Sequence, residues 1–271
     1  MVGASGALAG TAPTTVVPVG GNTVAYVSPN GVPVVDINTA NAAGLSHNTF
    51  TRYDVNPNGL VLNNGNTSQM ARQSELAGQV MANTNLSNEA RIILNEVISP
   101  NRSTLAGFTE VVGGKADVIV ANPYGITCSG CGYINTDRVS LTTGTPTIGA
   151  DGRLTGFAVK QGDILISGNG LNASAQQVLD LVARSVKVDG QVNAVDLGVA
   201  TGANAWDYTS RSVTGAVAAS ATVPGYAIDS TVLGGMYAGR IRLMANEAGV
   251  GVRMLGDAAA TADDFTLNAA G

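Results

Sequence analysis

Cys128 and Cys131, a Cys-x-x-Cys pair in the stretch Asp117–Gly144, are the residues best equipped for chemistry. Such a pair serves as a disulfide, as half a metal site or as a redox couple. Structural zinc takes four ligands, and to these two cysteines the chain adds one histidine, His47. A thioredoxin-type pair opens a helix in a βαβ setting, whereas short β-branched runs flank this one. Neither the metal nor the redox use finds the partners it needs.

The carboxylates are the second candidate. A lyase or hydrolase built on stacked strands needs paired carboxylates, or a carboxylate with Arg, on one face. Asp163, Asp180 and Asp189 stand at unequal intervals, and Asp117, Asp137 and Arg138 read equally well as corner residues. Asp263 and Asp264 are neighbours, so in a strand they face opposite ways. No Gly-x-Ser-x-Gly elbow lies near His47, and calcium-binding nonapeptide repeats are missing from the sequence. The expectation is therefore no catalytic residue, no metal ligand and no cofactor. Trp206 and Tyr208, in the Gly/Asn/Thr-rich segment 202–215, either stack on sugars or cover an apolar face, and the second use is expected.

The elements that position these residues are strands. Only 12% of the 271 residues are charged, against 45% hydrophobic, with 35 glycines and 4% aromatics. Average soluble domains are about one-quarter charged, so a charged, helix-bearing surface is not expected. A net charge of −5 argues against nucleic-acid binding, which wants a basic stripe. No apolar run approaches the length of a membrane helix. The first twelve residues read as a flexible start.

Short strands are expected over 15–19, 23–27 and 32–37 as a meander or hairpin cap, then a polar loop over 38–48 holding His47. Leu60-Val61-Leu62 is apolar on consecutive positions, as in a strand buried on both faces. Residues 69–80 read as an irregular excursion. From 107 onward strand candidates recur at a spacing of roughly 20 residues, within the range of repeat architectures. Asn63, Asn95, Asn135, Asn172, Asn193, Asn246 and Asn268 fall at strand ends, where stacked amides would form ladders. Sparse aromatics and consecutive apolar positions favour an all-β, right-handed parallel β-helix over a sandwich. The last residues, 263–271, read as a rung entered and stopped, as in the N-terminal fragment of a longer solenoid.

Several stretches, in order along the chain, resemble the secretion (TPS) domain of two-partner-secretion exoproteins, the filamentous-haemagglutinin-like adhesins and contact-dependent growth-inhibition toxins. They include Ser46–Phe50, Gly59–Asn64, Ile93–Val97, Asn101–Val111, Ala121–Ile126, Leu233–Ile241 and Glu247–Arg253. Asn122-Pro123-Tyr124-Gly125-Ile126 is similar to the family's Asn-Pro-Asn-Gly-Ile motif, with Tyr124 for Asn. Asn83-Thr84-Asn85-Leu86 is similar to its Asn-Pro-Asn-Leu motif, with Thr84 for Pro. Asn56-Pro57-Asn58-Gly59 reads as an ordinary turn.

The resemblance implies a single β-helix domain over 13–271, with a cap over 13–45 and excursions near 66–90 and 202–226. It implies a monomer that nucleates β-helix folding outside a Gram-negative cell after crossing the periplasm. The implied partner is an outer-membrane TpsB transporter, whose POTRA domains bind the chain largely unfolded. Asn83, Asn85, Leu86, Asn122, Pro123, Gly125 and Ile126 are the implied recognition residues, the alternative being that they only fix corners. A target-cell receptor would be met through a C-terminal region beyond this chain. Export further implies that Cys128 and Cys131 close a local disulfide. The alternatives are a glycan-binding adhesin module and a polysaccharide lyase.

Overall fold

The protein is described here from a computed structural model covering residues 15–270, so the reading of residues 1–12 lies outside the described residues. The described chain is strands and turns without a helix. It coils into a parallel β-helix with three faces.

One face stacks Leu45–Tyr53, Ile92–Val97, Asp117–Ala121, Arg138–Thr142 and Val178–Ala183, each parallel to the next. It continues in the second halves of Gln191–Thr201 and Gly235–Ala245 and ends on Phe265–Ala269. A second face stacks Pro33–Asp36, Leu60–Asn64, Phe108–Gly113, Cys131–Ile134 and Leu171–Ala173, then the first halves of the same two long strands and Asp257–Ala260. The third carries Ser103–Leu105, Ile126–Cys128, Asp163–Ser167, Ser185–Asp189, Tyr226–Ser230 and Gly251–Met254.

Register explains the core. Val118, Val139, Leu179 and Leu197 lie side by side in successive turns and all point into the bore. A parallel solenoid places equivalent residues above one another, so each inward column is a continuous apolar file. The cap closes the first end: Val24–Val27 and Pro33–Asp36 form an antiparallel hairpin, and Val16–Pro18 runs antiparallel to Leu45–Tyr53.

Strands apolar on consecutive positions have a second cause besides the bore. Two outer layers cover the outward side chains. The hairpin Ala71–Ser74/Gly78–Met81 lays Val80 and Ala77 over Val34, Val61 and Val112. A four-stranded antiparallel sheet, Thr145–Ile148, Leu154–Ala158, Asn204–Asp207 and Ser212–Ala216, lays Phe157, Trp206 and Tyr208 over Leu94, Ile119, Ala121 and Val182. The hairpin falls within 66–90 and two strands of the sheet within 202–226, and 69–80 is a regular hairpin rather than irregular chain.

Three expectations need correction. His47 is not in a loop: it sits in Leu45–Tyr53, with Nε2 2.7 Å from Glu96 Oε2. The strands 145–148 and 154–158 form a third excursion. Among the described residues the strand-end asparagines form no amide ladder: Asn95 donates to Ile119 O, Asn135 to Val111 O, and Asn63 to Met81 O and Asp36 Oδ1. Trp206, 2% exposed, and Tyr208, 5% exposed, cover an apolar face as expected and leave no aromatic pair for sugar stacking at 202–215.

Candidate functional site

The two Asn turns share one local design. Asn122 Oδ1 accepts from Tyr124 N at 2.9 Å, and Asn122 O accepts from Gly125 N at 3.0 Å. Asn83 Oδ1 accepts from Asn85 N at 2.9 Å, and Asn83 O from Leu86 N at 3.2 Å. Each is an Asx turn superposed on a β-turn, the arrangement that asparagine's short carbonyl favours. Asn56 repeats it, accepting from Asn58 N at 2.9 Å and, through its carbonyl, from Gly59 N at 2.9 Å.

What separates them is the amide nitrogen. Asn122 Nδ2 donates to Asn101 O (2.8 Å) and Ser103 Oγ (2.9 Å), tying the corner to the preceding turn of the coil. Asn83 Nδ2 donates to Ile37 O (2.9 Å) and Asn63 O (3.0 Å), tying the hairpin's exit to the cap. Both side chains are fully buried, whereas Asn56 is half-buried at an exposed turn. Asn85 adds a bond to Asn22 O, and Leu86 fills the bore. Thr84 is exposed and Pro123 half-buried, so the position where the motifs differ faces outward.

Gly125 has φ of +108°, and a Cβ there would lie 2.4 Å from Arg102 Nη1. Arg102 lies across this corner: it donates to Ile126 O (2.9 Å), to Thr127 Oγ1 (2.7 Å) and, through both ends of its fork, to Asp163 (2.8 Å each). Ile126 points into the bore. The turns at 83–86 and 122–126 stand at different corners and are not brought into one surface. Sequence reasoning did not pick out Arg102, Asn101 or Ser103 as members of the corner, because their partners come from other turns of the coil.

Cys128 and Cys131 span the next corner, their Sγ atoms bonded and their Cα atoms 5.6 Å apart. Both are buried among Leu105, Leu171 and Ile166 of the bore. Gly130, at φ +92°, makes the reversal between them.

Of the candidate carboxylates, Asp117, Asp137, Asp163, Asp180, Asp189 and Asp263 are engaged with cations or hydroxyls. Asp180 lies 2.8 Å from Arg211 and 2.9 Å from Arg138, and Asp196 takes Arg211, Arg240 and Arg242. Burial pushes the Asp196 carboxyl up, but hydrogen bonds and charge from Arg211 and then Arg242 outweigh it and hold the group low. Burial raises Asp117, with the Tyr208 hydroxyl, 2.8 Å away, opposing. Asp163 pairs with Arg102, Asp137 with Lys115, Asp263 with Arg240, and Asp189 accepts from Thr231. Arg211 reaches from the outer sheet to two turns of the coil and fastens one to the other. Its φ of +55°, unusual outside glycine, was not readable in advance.

A family model described as the TPS secretion domain matches residues 9–271. The chain belongs to the TPS secretion domain family. The crystal structure of the filamentous hemagglutinin secretion domain is similar, with a TM-score of 0.81 and 37% identity over 90% of this chain and 83% of that one. The 16S rRNA endonuclease CdiA of Enterobacter cloacae subsp. cloacae is 47% identical over 93% of this chain. The tRNA nuclease CdiA of Escherichia coli strain STEC_O31 is 47% identical over 89%, and the tRNA nuclease CdiA-2 of Burkholderia pseudomallei 42% over 89%. The chain spans only 7–8% of the length of these curated relatives. Membership in the TPS family makes this a secretion-targeting domain of a Gram-negative exoprotein, served by a TpsB-type transporter.

Proposed function

We propose that residues 13–271 are the export address and folding nucleus of a large exoprotein, with a cap at 13–45 and the coil at 46–271. In this reading POTRA domains of the transporter bind Asn83, Asn85, Leu86 and Asn122–Ile126 before the chain folds. One observation carries it: the amides of Asn83 and Asn122, and the side chains of Leu86 and Ile126, are buried in the folded coil. A partner that reads these groups reads them unfolded, and folding then withdraws the address. Asparagine offers donor and acceptor together, which suits pairing with a partner's strand edge.

The similarity to CdiA proteins favours a contact-dependent growth-inhibition toxin over an adhesin. Its nuclease and receptor-binding functions would lie in other parts of such a protein. This domain contributes no catalysis to it. The bonded Cys128–Cys131 loop is small enough to pass a barrel pore in the oxidised state.

The test is co-expression with the cognate transporter, reading release of the domain into the medium. Transporter-dependent release is expected, and equal release without the transporter would sink the reading. Binding of the urea-unfolded chain to purified POTRA domains isolates recognition from folding. Asn122→Ala should weaken that binding, and unchanged binding would assign Asn122 to corner formation alone.

A further inference from the structure

The hairpin layer ends where its sister layer continues. The sheet over the first face has four strands, but the layer over the second has only Ala71–Ser74 and Gly78–Met81. Beside Ala71–Ser74, over the next turn of the coil, lies a groove of about 770 Å³ floored by Ile134, Asn135 and Gly113–Lys115. Its size and place would admit a third strand.

The backbone along this groove is unpaired. Met70 O accepts from Ala82 N at 2.9 Å, which fixes the hydrogen-bonding alternation of the hairpin. Arg72 with Val80 and Ser74 with Gly78 are then the bonded pairs, and Ala71 and Gln73 face the other way. Their N–H and C=O groups point into the groove, and Ala71–Ser74 pairs with no strand but Gly78–Met81 among the described residues. Two-stranded ribbons are marginal by themselves, and open edges accept strands.

Charge narrows the occupant. Arg72 is held by Glu89 at 3.0 Å and Lys115 by Asp137 at 2.9 Å. Glu75 makes no ion pair among the described residues. Glu110, 4% exposed, accepts from Ser74 Oγ and from the N–H groups of Glu75 and Leu76, with no cation beside it. The groove therefore carries two acidic groups without counter-charges.

We infer that the edge of Ala71–Ser74 is a docking site for an extended strand of another polypeptide, which adds to the hairpin and sets a Lys or Arg toward Glu75 and Glu110. The site is formed only in the folded domain, and it is independent of the export address.

The experiment selects random octapeptides on phage against the folded chain, then measures the winners by fluorescence polarisation. Gln73→Pro removes an outward N–H and no backbone bond of the hairpin, losing only the side-chain bond from Gln73 Nε2 to Ser74 O, so the fold tolerates it. Expected are Lys- or Arg-bearing peptides that lose about tenfold in affinity for Gln73→Pro, and as much for Glu75→Lys, at unchanged melting temperature. Should Gln73→Pro melt lower, the same peptides N-methylated at alternate residues are tested on the unaltered chain, where lost binding supports the site. No enrichment, equal binding to Gln73→Pro, or equal binding of N-methylated peptides would overturn it. So would sedimentation showing that the edge instead joins two copies of this chain.

Discussion

Asn122→Ala removes three hydrogen bonds at once: two donated by Nδ2, to Asn101 O and Ser103 Oγ, and one accepted by Oδ1 from Tyr124 N. An intramolecular hydrogen bond contributes about 1 kcal/mol net, and a buried group left without a partner costs about 1–3 kcal/mol. With the amide fully buried, the expected loss of stability is about 3–5 kcal/mol. Asn56→Ala is the control. It breaks one exposed bond, to Asn58 N, and should cost at most about 1 kcal/mol. Urea unfolding followed by fluorescence of Trp206, the single tryptophan, measures both. Asn122→Asp keeps the acceptor and loses the donor, so it should fall between. If Asn122→Ala and Asn56→Ala unfold at the same urea concentration, burial does not distinguish the two turns and the account of the corner is wrong.

Trp206→Ala should cost about 3–5 kcal/mol, because the indole stacks 6.0 Å from Phe157 and lies under Arg138; a loss near zero by urea unfolding would show that the outer sheet is not fastened there. Asp117 has its carboxyl raised in the fold by burial, so its favourable contribution is complete below the unfolded value of about 3.9 and is lost as pH rises through the folded value. Asp117→Asn, which still accepts from Tyr208, should therefore stabilise the domain at pH 7 and flatten its melting temperature above pH 4. Asp229 and Glu247 are held low chiefly by hydrogen bonds from Arg253 and Arg184. Their contribution is present above the unfolded values of about 3.9 and 4.3 and disappears as pH falls through the lower folded values, so melting temperature should drop on acidification below about pH 4. Reducing the Cys128–Cys131 bond, which closes a loop of four residues, should lower stability by about 2 kcal/mol in urea titrations with and without reductant.

The coil itself was legible because Val118, Val139 and Leu179 belong to runs that point into a bore, and their β-branched or aliphatic character repeats from turn to turn. Leu45–Tyr53 was misread because two of its inner positions are Ser46 and Asn48. These are buried polar groups satisfied by Asn38 O, Thr23 Oγ1 and Leu94 O, partners outside the strand and up to 46 residues away. Thr145–Ile148 escaped because it is an exposed outer edge with Pro146 in it, and proline within a run argues against a central strand. Asn83 and Asn122 were singled out by resemblance, but the difference between them and Asn56 lies in which amide is buried. That is a property of neighbouring turns of the coil, and no local spelling encodes it.

The outer sheet over the first face is assembled from two chain segments, 145–158 and 204–216, and its apolar side reaches from Leu45 to Met244. Under tension applied through the last strand, a solenoid peels one turn after another, each releasing a similar length of chain. Here peeling stalls at the stitch formed by Arg211, Trp206 and Tyr208. Everything from the cap to that stitch must then yield in a single event, so a force–extension trace should show small regular steps followed by one large rupture. The domain is thereby built to bear load as one block up to that stitch.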